Sequence, residues 1–242
     1  MLTSFGPSIN AAVFGASGGI GGAFVQELLD CSNVAQVDAF SRRSLNDQPK
    51  LRSFQVDVLD EDSLKSGLEQ ANKQYELILV ALGLLHDDQV QPEKALKQLS
   101  FDAMQRVFAL NAFAPMIIAK HTLPRLPRER RSAFAALSAR VGSIADNRLG
   151  GWYAYRASKT ALNQFIKTTS IEHARRWPEG LVVGLHPGTV DTGLSKPFQS
   201  QVSQGKLFTP SQSARKLLKV LDQLQISDSG QVFDHAGQAI PA

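Results

Sequence analysis

Ile9 to Leu29 reads INAAVF, then GASGGIGG, then AFVQELL. The first six residues are a short apolar run, as expected of a strand buried on both faces. The last seven have helical periodicity. Between them lies a turn, Gly15-Ala16-Ser17-Gly18-Gly19-Ile20-Gly21, too rich in glycine to continue either element. Strand, glycine turn and helix in this order let backbone approach a pyrophosphate. The helix N-terminus then offers free N–H groups and a favourable dipole, and Ser17 adds a hydroxyl donor. No Lys-Ser or Lys-Thr follows, so this is not a Walker A loop.

The pattern repeats outward from that turn. Strands are expected at Val34–Phe40, Leu51–Val56, Glu76–Leu82, Ser132–Leu137, Leu181–Leu185 and Gln231–Phe233. Helices are expected near Glu61–Asn72, Phe101–Thr122, Tyr153–Arg176 and Pro210–Leu224. Alternation at this spacing predicts an α/β fold, a Rossmann-type doubly wound parallel sheet with helices on both faces, in a single domain spanning 1–242. Segments 86–99 and 197–209 break the pattern and are expected to rim the ligand crevice, with a substrate loop at about 193–209.

Bulk properties narrow the function classes. The chain has 242 residues, 43% hydrophobic, with a formal charge of +4 and one cysteine, Cys31. An internal disulfide framework is excluded, and a cytoplasmic setting is expected. No apolar stretch approaches the ~18 residues of a membrane span, so no membrane partner is expected. The densest basic run, RLPRERR at 125–131, lacks the spacing of a DNA-binding motif. It reads as a solvated loop, and no nucleic-acid partner is expected. His86, Asp87 and Asp88 are adjacent but lack metal-ligand spacing, so no metal is expected.

Cofactor choice is read at the end of the second strand. An acid there would accept from the adenosine ribose of NAD; the sequence instead has Ser41, Arg42 and Arg43. Arg42 can pair with a 2′-phosphate and Ser41 can hydrogen-bond it, which favours NADP(H) over NAD(H). The alternative is that both arginines are simply solvated. Asp57, with Val58 behind it, either accepts from adenine or caps the next helix.

The segment YAYRASK, Tyr153–Lys159, places Tyr155 and Lys159 on one helix face. Tyr153 falls off that face and is expected to pack or to make a subunit contact. A lysine one turn from a tyrosine is expected to lower the phenol pKa toward useful acid–base chemistry.

The glycine turn and the Tyr-x-x-x-Lys together resemble the short-chain dehydrogenase/reductase family, classical type, over nearly the whole chain. Tyr155, Ser158 and Lys159 match its Tyr-x-x-Ser-Lys. Gly15, Gly19 and Gly21 match its glycine motif, with Phe14 where threonine is usual. Asn111, in LNAFAP, matches its asparagine, and Pro187, Gly188, Val190 and Thr192 match its PGxVxT segment. The stretch GSIADNRLGGWYAYRASKTALN is similar to the C-factor or Sniffer-like carbonyl reductase branch. The resemblance implies that Tyr155 donates a proton to a carbonyl oxygen while hydride arrives from nicotinamide. It implies that Lys159 holds the nicotinamide ribose, that Asn111 anchors a water leading to Lys159, and that Val190 and Thr192 fix the nicotinamide amide. The family's Asn-Asn-Ala-Gly appears as Ala81-Leu82-Gly83-Leu84. Its catalytic serine position falls on Ala139, leaving Ser138 as the favoured substitute, Ser143 next, and no serine role as the third reading. The expected ligand is a small apolar carbonyl or alcohol in a pocket lined by Leu84, Leu85, Ser143–Trp152 and Ser195–Phe208, Leu149 and Leu207 included. A homodimer or homotetramer is expected. The alternative is a nucleotide-binding regulatory protein on the same fold.

Overall fold

A computed structural model describes residues 1–46, 48–201 and 205–242. Residues 202–204 of the expected substrate loop therefore lie outside the described residues. Seven parallel strands form one sheet: β1 (Ile9–Phe14), β2 (Val34–Ser41), β3 (Leu51–Gln55), β4 (Leu77–Val80), β5 (Ser132–Leu137), β6 (Gly180–His186) and β9 (Val232–Asp234). Their order is β3-β2-β1-β4-β5-β6-β9. The order reverses between β1 and β4, and the crevice beyond the carboxyl ends of those strands is where such sheets bind ligands.

Helices cover both faces. On one side α1 (Gly19–Leu29) and α6 (Pro210–Gln223) pack over Val13, Val37, Leu79, Val183 and Leu185. On the other, α2 (Glu61–Gln70), α4 (Ala114–Thr122) and α5 (Tyr153–Ala174) cover Phe14, Phe40, Ile78, Phe134 and Val182. Phe14 stacks on Phe40 with ring centroids 4.4 Å apart, and Phe40 on Phe54 at 5.1 Å. The sequence pattern did not reveal β7 (Thr189–Val190) and β8 (Leu207–Phe208), which form a two-residue parallel ladder beside the crevice. Such short strands carry too little periodicity to be read.

The expected helix at 101–122 is α3 (Phe101–Phe108), a π-helical turn (Ala109–Phe113) and α4 in sequence. Pro115 has no N–H to offer the carbonyl of Asn111, four residues back, and the ladder widens there. That widened turn carries Asn111.

The basic run is a loop with Arg128, Glu129 and Arg130 exposed, but the arginines at its two ends are anchored. Arg125 donates to the carbonyls of Leu68 and Asn72, and Arg131 to those of Leu221 and Leu224. Each guanidinium thus bonds carbonyls at or just past a helix C-terminal end, α2 and α6 respectively. Arg130 pairs with the buried carboxylate of Glu76, and Arg128 lies over Trp177. Asp38 is likewise structural. It is fully buried in β2, takes two bonds from Arg52, and accepts from the Tyr75 hydroxyl at 2.7 Å and the Asn72 amide at 2.8 Å. Among the described residues no helix is long and apolar enough to cross a membrane.

Candidate active site

A cavity of about 460 Å³ opens at the switch point. At one end Gly18, Gly19 and Ile20 of the glycine turn face Ala81, Leu82 and Gly83 after β4. At the other, Tyr155 and Lys159 of α5 meet Ser138 and Ala139 at the end of β5. Pro187, Gly188, Val190 and Thr192 form a third wall. Residues from distant parts of the chain are thus brought onto one cleft.

The glycines are required by space. A Cβ on Gly15, at φ +80°, would lie 2.5 Å from the Ala81 carbonyl oxygen, and one on Gly21 would lie 2.1 Å from that of Gly15. A Cβ on Gly19 would meet Cγ2 of Thr192 at 2.7 Å, on the far side of the cleft. Gly18 caps α1 without a side-chain hydrogen bond, so the first amides of the helix have no side-chain partner there. A close-packed turn with helix amides facing a cleft fits a dinucleotide pyrophosphate.

The expected adenosine side lies beyond the cavity wall. The Ser41 hydroxyl is buried and donates to the Arg43 carbonyl. Arg42 is exposed, with no side-chain hydrogen bond among the described residues. Arg43 donates to the Ser17 carbonyl at 3.2 Å and so braces the glycine turn, a contact that sequence reasoning missed. Asp57 is not the helix cap: Asp60 accepts from the amides of Asp62 and Ser63, while Asp57 holds its own turn through Leu59. Val58 is buried in the core.

Tyr155 and Lys159 are both buried, at 9% and 2% exposure. Lys159 Nζ donates to the Leu137 carbonyl at 2.8 Å and lies 6.0 Å from the Tyr155 ring centroid. Burial pushes the phenol up to about 12 and the ammonium down to about 7. Burial outweighs the expected lowering of the tyrosine, since desolvation penalises both charged forms. Gly142 permits this packing, since a Cβ there would meet Lys159 Cβ at 2.8 Å.

Asn111 is fully buried. Its Oδ1 accepts from the Leu84 amide at 2.7 Å, and its Nδ2 donates to the Leu84 carbonyl at 2.8 Å and to the Ser158 hydroxyl at 3.1 Å. It ties the widened turn to the chain after β4 and to α5. Of the two serines, only Ser138 lines the cavity; its hydroxyl donates to Oδ1 of Asn163. Ser143 instead accepts from the Asp146 amide and lies 3.5 Å from the Ala242 carbonyl, outside the lining. Asn163 was missed, although it lies one turn beyond Lys159 on the same helix face.

The outer wall is apolar. Leu85, Ala139, Val141, Trp152, Leu194 and Phe198 cluster around Tyr155. Trp152 meets Phe198 edge-on at 5.0 Å and Tyr155 at 6.2 Å. His86 donates to the carbonyls of Gly193 and Leu194 and presents its edge to Phe198. Several expected wall residues are elsewhere. Leu149 is 92% exposed, Leu84 packs with Val90 and Val107, and Leu207 lies outside the cavity lining. His186 lines the cavity floor, where burial holds its pKa down to about 4. Among the described residues no three ligating side chains gather for a metal.

The family model for short chain dehydrogenases matches residues 10–203. The chain belongs to that family. It is therefore an oxidoreductase built for hydride-transfer chemistry. It is 37% identical over 148 residues to the C-signal of Myxococcus xanthus, covering 61% of this chain and 83% of that one. An NADPH-bound carbonyl reductase from chicken fatty liver superposes with a TM-score of 0.84 at 25% identity, over 97% of this chain and 99% of that one. The carbonyl reductase Sniffer of D. melanogaster shares the fold, with a TM-score of 0.81 at 19% identity over 97% of this chain and 100% of that one.

Proposed function

We propose that this protein is an NADP(H)-dependent reductase of small apolar carbonyl compounds, with Tyr155 as the acid–base group. The observation that carries the reading is the cleft itself. A glycine-lined helix N-terminus opens one end, and a buried Tyr155–Lys159 pair closes the other beneath an aromatic wall. A nicotinamide cofactor, when bound, supplies hydride for reduction or takes it in oxidation.

The chain's own residues do the rest. Gly15, Ser17, Gly18, Gly19, Ile20 and Gly21 shape the pyrophosphate cradle. Ser41, Arg42, Asp57 and Val58 form the adenosine side, and Ala81, Leu82 and Gly83 border the ribose. Pro187, Gly188, Val190 and Thr192 hold the nicotinamide side. Tyr155, neutral at ordinary pH, gives its phenolic proton to the carbonyl oxygen and takes one in the reverse direction. Lys159 stabilises the phenolate left behind and bonds ribose hydroxyls. Ser138 helps bind a substrate oxygen, donating to it only by releasing Asn163. Asn111 holds the parts in register, and Ser143 keeps no direct role.

NADP(H) over NAD(H) is supported by exposed Arg42 and by Asp38, whose carboxylate is sealed in the sheet with Arg52. The NADPH-bound relative agrees with it. Residues 1–242 act as one unit, without nucleic-acid, membrane or metal partners. The cytoplasmic setting rests on the single, unpaired Cys31. A homodimer or homotetramer is supported by Phe113 and Tyr153, half-exposed apolar rings at the π-turn and the head of α5.

A regulatory nucleotide-binding role is favoured by one observation, alanine at 139 where the family places serine, and by likeness to the C-signal. The test is a fluorescence titration with NADPH and NADH, then a panel of aldehydes, ketones and aromatic diketones with Tyr155→Phe as control. The reading expects tighter NADPH binding and a kcat roughly 100- to 10,000-fold lower in Tyr155→Phe. Binding without turnover across the panel would establish the regulatory reading instead, and full activity in Tyr155→Phe would remove the role given to Tyr155.

A further inference from the structure

The helix that carries Tyr155 starts without a cap of its own. Its N-cap residue is Trp152, in the left-handed region at φ 50° and ψ 45°, and no side chain of the local sequence bonds the first turn. The first turn contains no acidic residue. Uncapped amides at the head of a helix buried beside an active site are costly unless something distant satisfies them.

That something is Glu93. Its Oε2 accepts from the Ala154 amide at 3.2 Å, across 61 residues of sequence. Its backbone carbonyl accepts from the Trp152 amide. Glu93 is 5% exposed, and no cation pairs with it among the described residues. A carboxylate in this position is stabilised by the helix N-terminus instead. The segment presenting it is braced on both sides. Asp87 accepts from the Gln89 and Val90 amides and pairs with Arg106, while the Gln98 side chain accepts from the Lys94 and Ala95 amides. Glu93 is therefore held in place by its own segment.

We propose that Glu93 is a positioning residue for Tyr155 and Trp152. It pins the second residue of α5, one position before Tyr155, and fixes the backbone of Trp152, whose indole forms the substrate wall at 6.2 Å from the Tyr155 ring. Its carboxylate sets where the phenol stands, and its carbonyl holds Trp152 in a conformation that bulky residues rarely adopt. Segment 86–99, outside the strand–helix alternation, thus acts as a clamp on the head of the catalytic helix. This inference rests on the role proposed for Tyr155.

The test compares Glu93→Ala, Glu93→Gln and Tyr155→Phe in a Trp177→Phe background, so that Trp152 is the one tryptophan. NADPH affinity, KM and kcat are measured with benzil, or with the panel compound that turns over fastest, together with Trp152 emission. Glu93→Ala is expected to lower kcat roughly ten-fold, the factor that about 1.4 kcal/mol of barrier produces. It should shift Trp152 emission to the red and leave NADPH affinity within about two-fold, because the glycine turn is untouched. Glu93→Gln keeps an acceptor for the Ala154 amide and should restore both kcat and emission. The inference is overturned if Glu93→Ala keeps wild-type kcat and emission while Tyr155→Phe is inactive. It is equally overturned if kcat and NADPH affinity fall together, which marks general destabilisation. Activity surviving in Tyr155→Phe would sink the role of Tyr155; the Trp152 emission of Glu93→Ala still decides whether Glu93 holds the helix head.

Discussion

Replacing Gly19 by alanine tests the geometry that joins the two sides of the cleft. Gly19 is the first residue of α1, and its backbone conformation is open to alanine. The obstacle is across the cleft. The new Cβ would sit 2.7 Å from Cγ2 of Thr192 and 3.3 Å from its Cβ. Thr192 is not free to retreat, because its carbonyl accepts from the amides of Ser195 at 3.1 Å and Lys196 at 3.0 Å. Overpacking of this kind costs about 1–3 kcal/mol. Alanine returns at most ~1 kcal/mol in helix propensity, so part of the cost remains and the melting temperature should fall by several degrees at most. The strain falls instead on the cleft, where the turn and Thr192 must part. NADPH affinity is then expected to fall about 5- to 150-fold in a fluorescence titration. Adding Thr192→Ser deletes the offending Cγ2 while keeping a hydroxyl, and should recover most of the loss as a coupling in the double-mutant cycle. Unchanged affinity in Gly19→Ala, or a double variant no better than Gly19→Ala alone, would refute the argument.

Arg42→Ala should weaken NADPH roughly 10- to 100-fold with NADH unchanged, as loss of a charge-assisted contact does. Arg43→Ala should weaken both modestly through the Ser17 turn; equal loss of the two cofactors in Arg42→Ala would remove the 2′-phosphate reading. Acid should destabilise the fold before the carboxylates titrate. Burial holds His173 and His186 down to about 4 from 6.5, so the unfolded chain binds more protons between those values. Stability is then full above pH 6.5 and falls as pH drops, by about 2–3 kcal/mol per histidine on reaching pH 4.5. A denaturant midpoint unchanged between pH 6.5 and 4.5 would contradict it.

What could be read early was what is local. The glycine turn, the Tyr155–Lys159 spacing and the strand–helix alternation each lie within a few turns of chain, and each constrains backbone directly. The basic run at 125–131 misled for the opposite reason. Charge suggests solvent, and Arg128 and Arg130 do face it, yet Arg125 and Arg131 reach the ends of helices far away in sequence. Of the two readings open for Asp57, the cap fails: Asp57 and Asp60 are chemically alike and three residues apart, and only the helix start tells them apart.

By itself, then, the sequence determined the α/β class, the family motifs and the pair of groups able to move a proton. The tertiary structure alone decided which serine faces the cleft, that Asp38 is sealed by Arg52, that Asn163 holds Ser138 and that Glu93 caps α5. The last three are contacts between residues 14, 25 and 61 apart, the Glu93 contact being made to a backbone amide. Periodicity reports only which face of an element is buried. Which polar groups then meet is settled by tertiary packing, because a buried polar group costs free energy unless a partner is brought to it.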